Sequence, residues 1–258
     1  MTLPVLSIVV PTYNQAGFIA ETLAEPIRLK ARGVETIVID GGSTDGTQDI
    51  LQARSDELAY WVSEKDRGQA HAINKGFEMA LGRWIAFQNS DDYYLPGALE
   101  TVLKTIARNP NAEVIVGGTC FVDVDGRLIR QTLPKPLLYP CFSQMNFVQN
   151  QSLFVRSDLL KRIGHLTEEA AFCLDYEWFL RIFKDRPRVA LIYNYVGAQR
   201  LHEDTKTFNN QSVHDIEFAK YAAAHFTDSE RLFGKLVLPF YRAFRRAYRL
   251  ARPIPAAQ

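Results

Sequence analysis

Three cysteines in 258 residues, Cys120, Cys141 and Cys173, are few, odd in number and far apart, and each lies in an apolar context. That excludes a disulfide framework and a cysteine zinc site, and predicts reduced, buried thiols. No run reaches the roughly 20 apolar residues that a membrane-spanning helix needs. The short apolar run near Val5–Val10 has no basic segment before it, so no secretory signal is expected and the protein is expected on the cytoplasmic side of the membrane. Net charge is only +1, which gives no general reason to expect nucleic acid as a partner. Internal repeats and low-complexity linkers are missing too. So is the Gly-x-Gly-x-x-Gly dinucleotide fingerprint, because Pro11-Thr12-Tyr13-Asn14 follows the first predicted strand instead.

One absence is local. From Lys235 onward the chain carries Lys235, Arg242, Arg245, Arg246, Arg249 and Arg252 and no acid, so this tail is +6 and the remainder −5. Phe240, Phe244, Tyr248 and Ala251 fall near one face of a helix predicted over residues 231–251. A basic amphipathic helix with aromatics suits an anionic inner-leaflet membrane surface; a helix docked on the domain is the alternative.

What is present is alternation. Apolar strand-like runs at 5–10, 35–39, 58–63 and 84–88 alternate with helical segments at 17–32, 43–53, 69–81 and 95–109. Pro26 is expected to kink the first helix. This spacing predicts a Rossmann-like, mostly parallel sheet flanked by helices. The second half reads as a strand at 113–118, a hairpin around Asp125-Gly126, and strands at 152–155 and 189–196. Helices are expected at 175–184 and 211–225. Residues 1–230 are expected to form a single domain, with a donor-binding half to about 110 and an acceptor half beyond it. Residues 231–258 form the tail.

Ligands on such sheets bind beyond the carboxyl ends of the strands. Four polar clusters follow predicted strands. Pro11-Thr12-Tyr13-Asn14 offers an aromatic ring and polar groups suited to a base and its ribose. In Asp40-Gly41-Gly42-Ser43-Thr44-Asp45-Gly46, a carboxylate can accept from a base or a ribose hydroxyl, and the glycines admit close backbone approach. Asp66, Arg67, Gly68 and Lys75 form a charged stretch that suits ribose or diphosphate, or simply a solvated loop. In Asn89-Ser90-Asp91-Asp92, adjacent carboxylates at the end of a buried strand repel one another unless a cation offsets them, which suits Mg²⁺ or Mn²⁺.

Taken in order, these four motifs resemble the family 2 glycosyltransferases of GT-A fold, strongly over about residues 5–105 and loosely over 150–207. The resemblance implies a nucleotide-diphosphate sugar donor, a UDP-sugar first, a divalent metal and inversion at the anomeric carbon. It also implies a saccharide or lipid-linked acceptor and a role in cell-surface polysaccharide or glycolipid synthesis. Asp40 matches the base-contacting acid, and Pro11 and Tyr13 lie in the segment that packs on the base. Asp91 matches the metal ligand, with Asp92 as its substitute; Asn89 departs from the family's first acid and removes one charge.

Asp175, in Leu174-Asp175-Tyr176-Glu177, matches the acidic motif that holds the catalytic base, with Glu177 as second candidate. His202 matches a histidine that meets metal or diphosphate, and Lys206 is placed to neutralise the leaving group. Two rival readings are a nucleotidyltransferase, which would want a glycine-rich basic loop after the first strand, and an inactive sugar-nucleotide or polysaccharide binder.

Overall fold

The computed structural model describes residues 3–134, 138–202 and 211–251. Strand β1 (Leu6–Thr12) is buried along its whole length, as an apolar run covered on both faces should be. It pairs in parallel with β2 (Val34–Asp40) and β4 (Trp84–Phe87), and β2 pairs in parallel with β3 (Tyr60–Ser63). Helices α1 (Ile19–Arg28), α2 (Thr47–Ala53) and α3 (Gln69–Met79) make the crossovers. Helix α3 lies so close to β1 that a Cβ on Gly76 would sit 2.3 Å from a methyl of Val9. Pro26 lies inside α1, which ends two residues later and gives way to a short 3-10 turn. Having no N–H, Pro26 makes no helical bond to the Thr22 carbonyl, and the helix nonetheless runs past it.

After β4 come β5 (Tyr93–Tyr94), α4 (Ala98–Arg108), β6 (Val114–Val122) and β7 (Leu128–Thr132). Then follow β8 (Leu153–Arg156), α5 (Ser157–Ile163), α6 (Leu174–Lys184) and β9 (Val189–Arg200). Among the described residues these build one nine-stranded sheet, β3-β2-β1-β4-β8-β6-β9-β5, with β7 alongside β6. The first-half strands are parallel. β8 enters antiparallel to both β4 and β6, and β6 and β9 are parallel again. The reversal at β8 matters for the site, because it puts the start of β8 at the edge where β4 ends. The predicted hairpin forms, with Val122 opposite Leu128.

Apolar side chains fill both faces of the sheet. On one face Trp178 of α6 packs on Phe77 and Phe87, joining the second-half helix to α3 and β4. All three cysteines are free and buried.

Helices α7 (Gln211–His225) and α8 (Asp228–Ala251) end the described chain. The start of α8 packs on the domain. A Cβ on Gly234 would lie 2.3 Å from the Pro140 carbonyl, and Tyr241 is buried beside Phe147. Leu232, Phe233, Leu236 and Phe240 of the same helix are exposed. The side chains of Phe244, Tyr248 and Ala251, and residues Lys206 and Arg252, lie outside the described set. No described helix is long and apolar enough to cross a membrane.

Candidate active site

A cleft of about 420 Å³ opens at the carboxyl ends of β1 and β4. Pro11, Thr12 and Tyr13 line it from the end of β1, and Asp66 and Gly68 from the loop after β3. Asn89, Ser90, Asp91 and Asp92 line it from the loop after β4, Asp175 from α6, and His202 from the end of β9. Residues separated by up to 191 positions in sequence thus share one wall, as the ordered motifs anticipated.

Two predicted contacts fall off that wall. Asp40 is fully buried, and its carboxylate accepts from the Ser43 backbone N–H at 3.0 Å and from the hydroxyls of Ser43 and Ser63. It shapes the β2 loop from within and does not face the cleft. Asn14 adopts φ 52°, a left-handed conformation that asparagine tolerates well. Its N–H donates to Ser43 Oγ at 2.7 Å, and its Oδ1 accepts from the Thr44 N–H at 2.9 Å, which stitches the β1 loop to the β2 loop. Both residues are therefore loop-ordering groups where ligand contact was expected.

Arg67 and Lys75 also stand apart from the cleft. Arg67 makes a two-pronged pair with Glu168 on the surface, and Lys75 pairs with Glu64. Asp66 uses one oxygen to accept from the Gly68 N–H at 2.8 Å, fixing the turn that opens α3. Tyr13 lines the cleft and is 60% exposed.

The loop after β4 is held from several sides. Thr22 Oγ1 donates to the carbonyls of Ser90 and Asp92, at 2.9 and 2.7 Å. Asp92 is buried and accepts from Gln151 Nε2 at 2.6 Å, the Arg200 N–H at 2.8 Å and Asn89 Nδ2 at 3.3 Å. Burial first, and the charge of Asp91 second, push the Asp92 carboxyl well above the ordinary carboxylate range; the hydrogen bonds oppose this only in part. Both Asp92 oxygens are occupied within the protein, and Asp91 is the more exposed of the two carboxylates. Asn89 is explained by the same network. Its Oδ1 accepts from Gln69 Nε2 at 2.8 Å while its amide donates to Asp92, a donation that an aspartate in its place could not make.

Asp91 Oδ2 lies 3.2 Å from His202 Nε2. Phe18 stacks on the His202 ring at 5.7 Å between centroids. Buried Arg200 braces the pair. Its Nη1 donates to the Asp91 carbonyl at 2.6 Å, its Nη2 pairs with Glu21, and its guanidinium lies over Phe18 and Tyr93. Arg200 has no part in the reading of the sequence; its only signal there is an arginine two residues before the candidate histidine.

Asp175 sits in the first turn of α6, where the helix dipole favours its charged form. Burial outweighs this and raises its carboxyl above the usual range, against the Tyr176 N–H bond and the nearby His214. Glu177, the second candidate, points elsewhere. It pairs with Arg181 and with His225 at 3.3 Å. Burial works to raise its carboxyl, but these partners overcome that and hold it low.

The loop before Asp175 depends on a residue that sequence reasoning missed. Glu217 of α7 accepts from three successive N–H groups, Ala171 at 3.0 Å, Phe172 at 2.9 Å and Cys173 at 2.9 Å. Ala171 and Phe172 line the cleft. Glu217→Ala should cost about 1–3 kcal/mol of stability by stranding those donors. It should also lower turnover more than donor affinity, with Glu217→Gln intermediate, in paired melts and kinetics. Unchanged turnover in a folded Ala variant would remove Glu217 from the positioning of Asp175.

Among known proteins, residues 7–161 match the family described as Glycosyl transferase family 2. An uncharacterized glycosyltransferase of Rickettsia typhi is 24% identical over 243 residues, 90% of this chain and 71% of that protein. A PGL/p-HBAD biosynthesis glycosyltransferase of Mycobacterium bovis is 26% identical over 224 residues, 85% and 84% of the two chains. Among solved structures, S. aureus TarS 1-349 in complex with UDP-GlcNAc superposes with a TM-score of 0.70 at 19% identity, covering 98% of this chain and 76% of that one. Against the longer TarS chain the match spans 43% of TarS. The mannosyltransferase PcManGT of Pyrobaculum calidifontis, in complex with GDP-Man and Mn2+, gives 0.67 at 18% identity, covering 100% and 77%. The nucleotidyltransferase alternative gives way to these matches. With well over half its length inside the family's own pattern and the GT-A architecture throughout, the chain belongs to glycosyltransferase family 2.

Proposed function

We propose that the protein is a metal-dependent, inverting glycosyltransferase that moves a sugar from a nucleotide-diphosphate donor to a hydroxyl acceptor. The observation that carries this reading is one cleft walled by Asp91 with His202 and, from a separate helix, by Asp175. The donor atoms fit a divalent ion. Asp91 Oδ2 and His202 Nε2, 3.2 Å apart on the cleft wall, are a carboxylate oxygen and an imidazole nitrogen of the kind that would hold such an ion. Among the described residues no cluster of three His, Cys, Asp or Glu forms a complete cage, which leaves room for phosphate oxygens and water.

Asp91 and His202 would hold the ion, which when bound would offset negative charge on the leaving diphosphate. Tyr13 offers its ring to the base. Pro11 and Thr12 flank the nucleoside, with Asp66, Gly68, Asn89 and Ser90 further along the cleft wall. Asp40 and Asn14 serve by fixing the loops. Asp175 takes the proton of the acceptor hydroxyl as that oxygen bonds to the anomeric carbon and the bond to the diphosphate breaks on the opposite face. UDP-GlcNAc and GDP-Man bound to fold neighbours support the donor class, and the Mn2+ of one supports the metal. The mycobacterial relative supports a product in polysaccharide or glycolipid synthesis.

A thermal-shift screen of UDP-glucose, UDP-N-acetylglucosamine and GDP-mannose, with and without Mn²⁺, tests the donor site. At about 100 times Kd one donor should stabilise the protein by about 2.7 kcal/mol, a rise of roughly 5–10 °C, and only with metal. No rise with any sugar nucleotide would reject the reading.

The lipid-linked acceptor leads to the tail. Exposed Leu232, Leu236 and Phe240, followed by a basic run without acids, suit the anionic cytoplasmic face of a membrane. Deleting the tail would also strip Tyr241 from the core, so substitution is the cleaner test. Leu236→Gln with Phe240→Gln should abolish co-sedimentation with phosphatidylglycerol vesicles while the melting temperature holds. Undiminished sedimentation would refute membrane docking by this face.

A further inference from the structure

We infer that Asn150 recognises a hydroxyl group of the sugar being transferred, an assignment that rests on the donor-site reading above. Asn150 is 6% exposed and lines the cleft, and its side-chain Nδ2 has no hydrogen-bond partner. A buried amide donor that the protein leaves unpaired, on a residue lining the cleft, is completed by an acceptor on a ligand bound there.

Its position is fixed from the chain on either side. The Ser152 N–H closes a turn onto the Gln149 carbonyl at 3.1 Å, with Asn150 inside it. Gln151 Nε2 is committed to Asp92 at 2.6 Å, and Ser152 Oγ lies 2.7 Å from the Gly118 carbonyl and 2.6 Å from Thr119 Oγ1. The backbone of Gln151 also presses on Gly197, where a Cβ would come within 2.3 Å of the Gln151 carbonyl. A turn clamped in this way holds Asn150 on the cleft wall and ties it directly to the loop that presents Asp91.

Sheet order says which part of the donor it meets. Tyr13 follows β1, Asp91 follows β4, and Asn150 precedes β8, the strand beside β4 on the side away from β1. Because β8 runs antiparallel to β4, its first residues stand at the edge where β4 ends. Along that edge the sequence is base, diphosphate, then Asn150. The donor group beyond the diphosphate is the hexose. Its hydroxyl oxygens are the acceptors that an amide N–H needs.

The test is calorimetric titration in Mn²⁺ of UDP and GDP against UDP-glucose, UDP-N-acetylglucosamine and GDP-mannose. Wild type is compared with Asn150→Leu, which keeps the volume and removes the donor, and Asn150→Asp, which keeps the shape and replaces the donor with an acceptor. In both variants the preferred sugar nucleotide should bind about 10- to 100-fold more weakly, while its parent diphosphate stays within about twofold. The retained diphosphate affinity also reports that the variant is folded. Equal weakening of diphosphate and sugar nucleotide would overturn the assignment, making Asn150 a prop for the Asp91 loop. Unchanged donor binding with a raised KM for the acceptor would overturn it in favour of acceptor recognition. Wild type that binds neither diphosphate nor sugar nucleotide would overturn the donor site itself, an outcome distinct from the other two.

Discussion

Asp175→Asn is expected to lower transfer by about 10²–10⁴-fold, the usual weight of a general base, with sugar-nucleotide affinity nearly unchanged. The substitution keeps the shape and removes only the ability to take a proton. The pH dependence follows from the burial that raises the Asp175 carboxyl. The base works when ionised, so kcat/KM should fall as pH drops through a value above that of an ordinary aspartate. Stability runs the other way. A carboxyl whose folded pKa is raised is destabilising when ionised, and that cost is relieved as pH falls through the folded value. Asp175→Asn should therefore melt no lower than wild type at neutral pH. A pH–rate profile and paired melts check both, and wild-type transfer by the Asn variant would reject Asp175 as base. Wild type that binds donor yet transfers to none of many acceptors would instead favour the inactive-binder alternative.

Asp91→Asn is expected to cost about 10²–10³-fold in kcat/KM, from several kcal/mol of lost charge stabilisation. Asn retains an oxygen near His202 but not the charge. Donor binding should lose its dependence on Mn²⁺, and removal of metal from the wild type by a chelator should reproduce the defect. Asp92→Asn is the control. Its carboxylate is already enclosed by Gln151, Arg200 and Asn89, so the metal requirement should persist. Titration of donor affinity against Mn²⁺ for both variants decides between them. A lost requirement in Asp92→Asn alone would exchange the two roles.

The first-half fold was legible because its signals are local. Each strand is an apolar run ended by a polar cluster, and the convergence of those clusters follows from parallel pairing. Asp91, Asp175 and His202 could be picked as candidates because residue type and order survive in one dimension, and all three line the cleft. What escaped were partnerships between side chains on different elements. Nothing near Asp40 in sequence says that Ser63 will occupy its carboxylate from the next strand. Nothing near Glu217 says that it will cap a loop more than forty residues earlier. Asn150 was passed over because the reading placed residue 152 at the start of a strand and assigned no function to the turn before it. Asn89 looked like a departure from the family and proved to be a donor matched to Asp92, three residues along the same loop.

The enclosed Asp92 has a consequence for how the molecule can be divided. Its carboxylate ties the loop after β4 to Gln151 and Arg200, far later in the chain, and β5 pairs with β9. A fragment stopping near residue 110 would keep the four early motifs and yet leave that acid with Asn89 alone of its three donors. The motifs of nucleotide recognition thus come early in translation, while their scaffold is completed only when the last strand arrives. The nascent chain should be blind to its donor until β9 has left the ribosome.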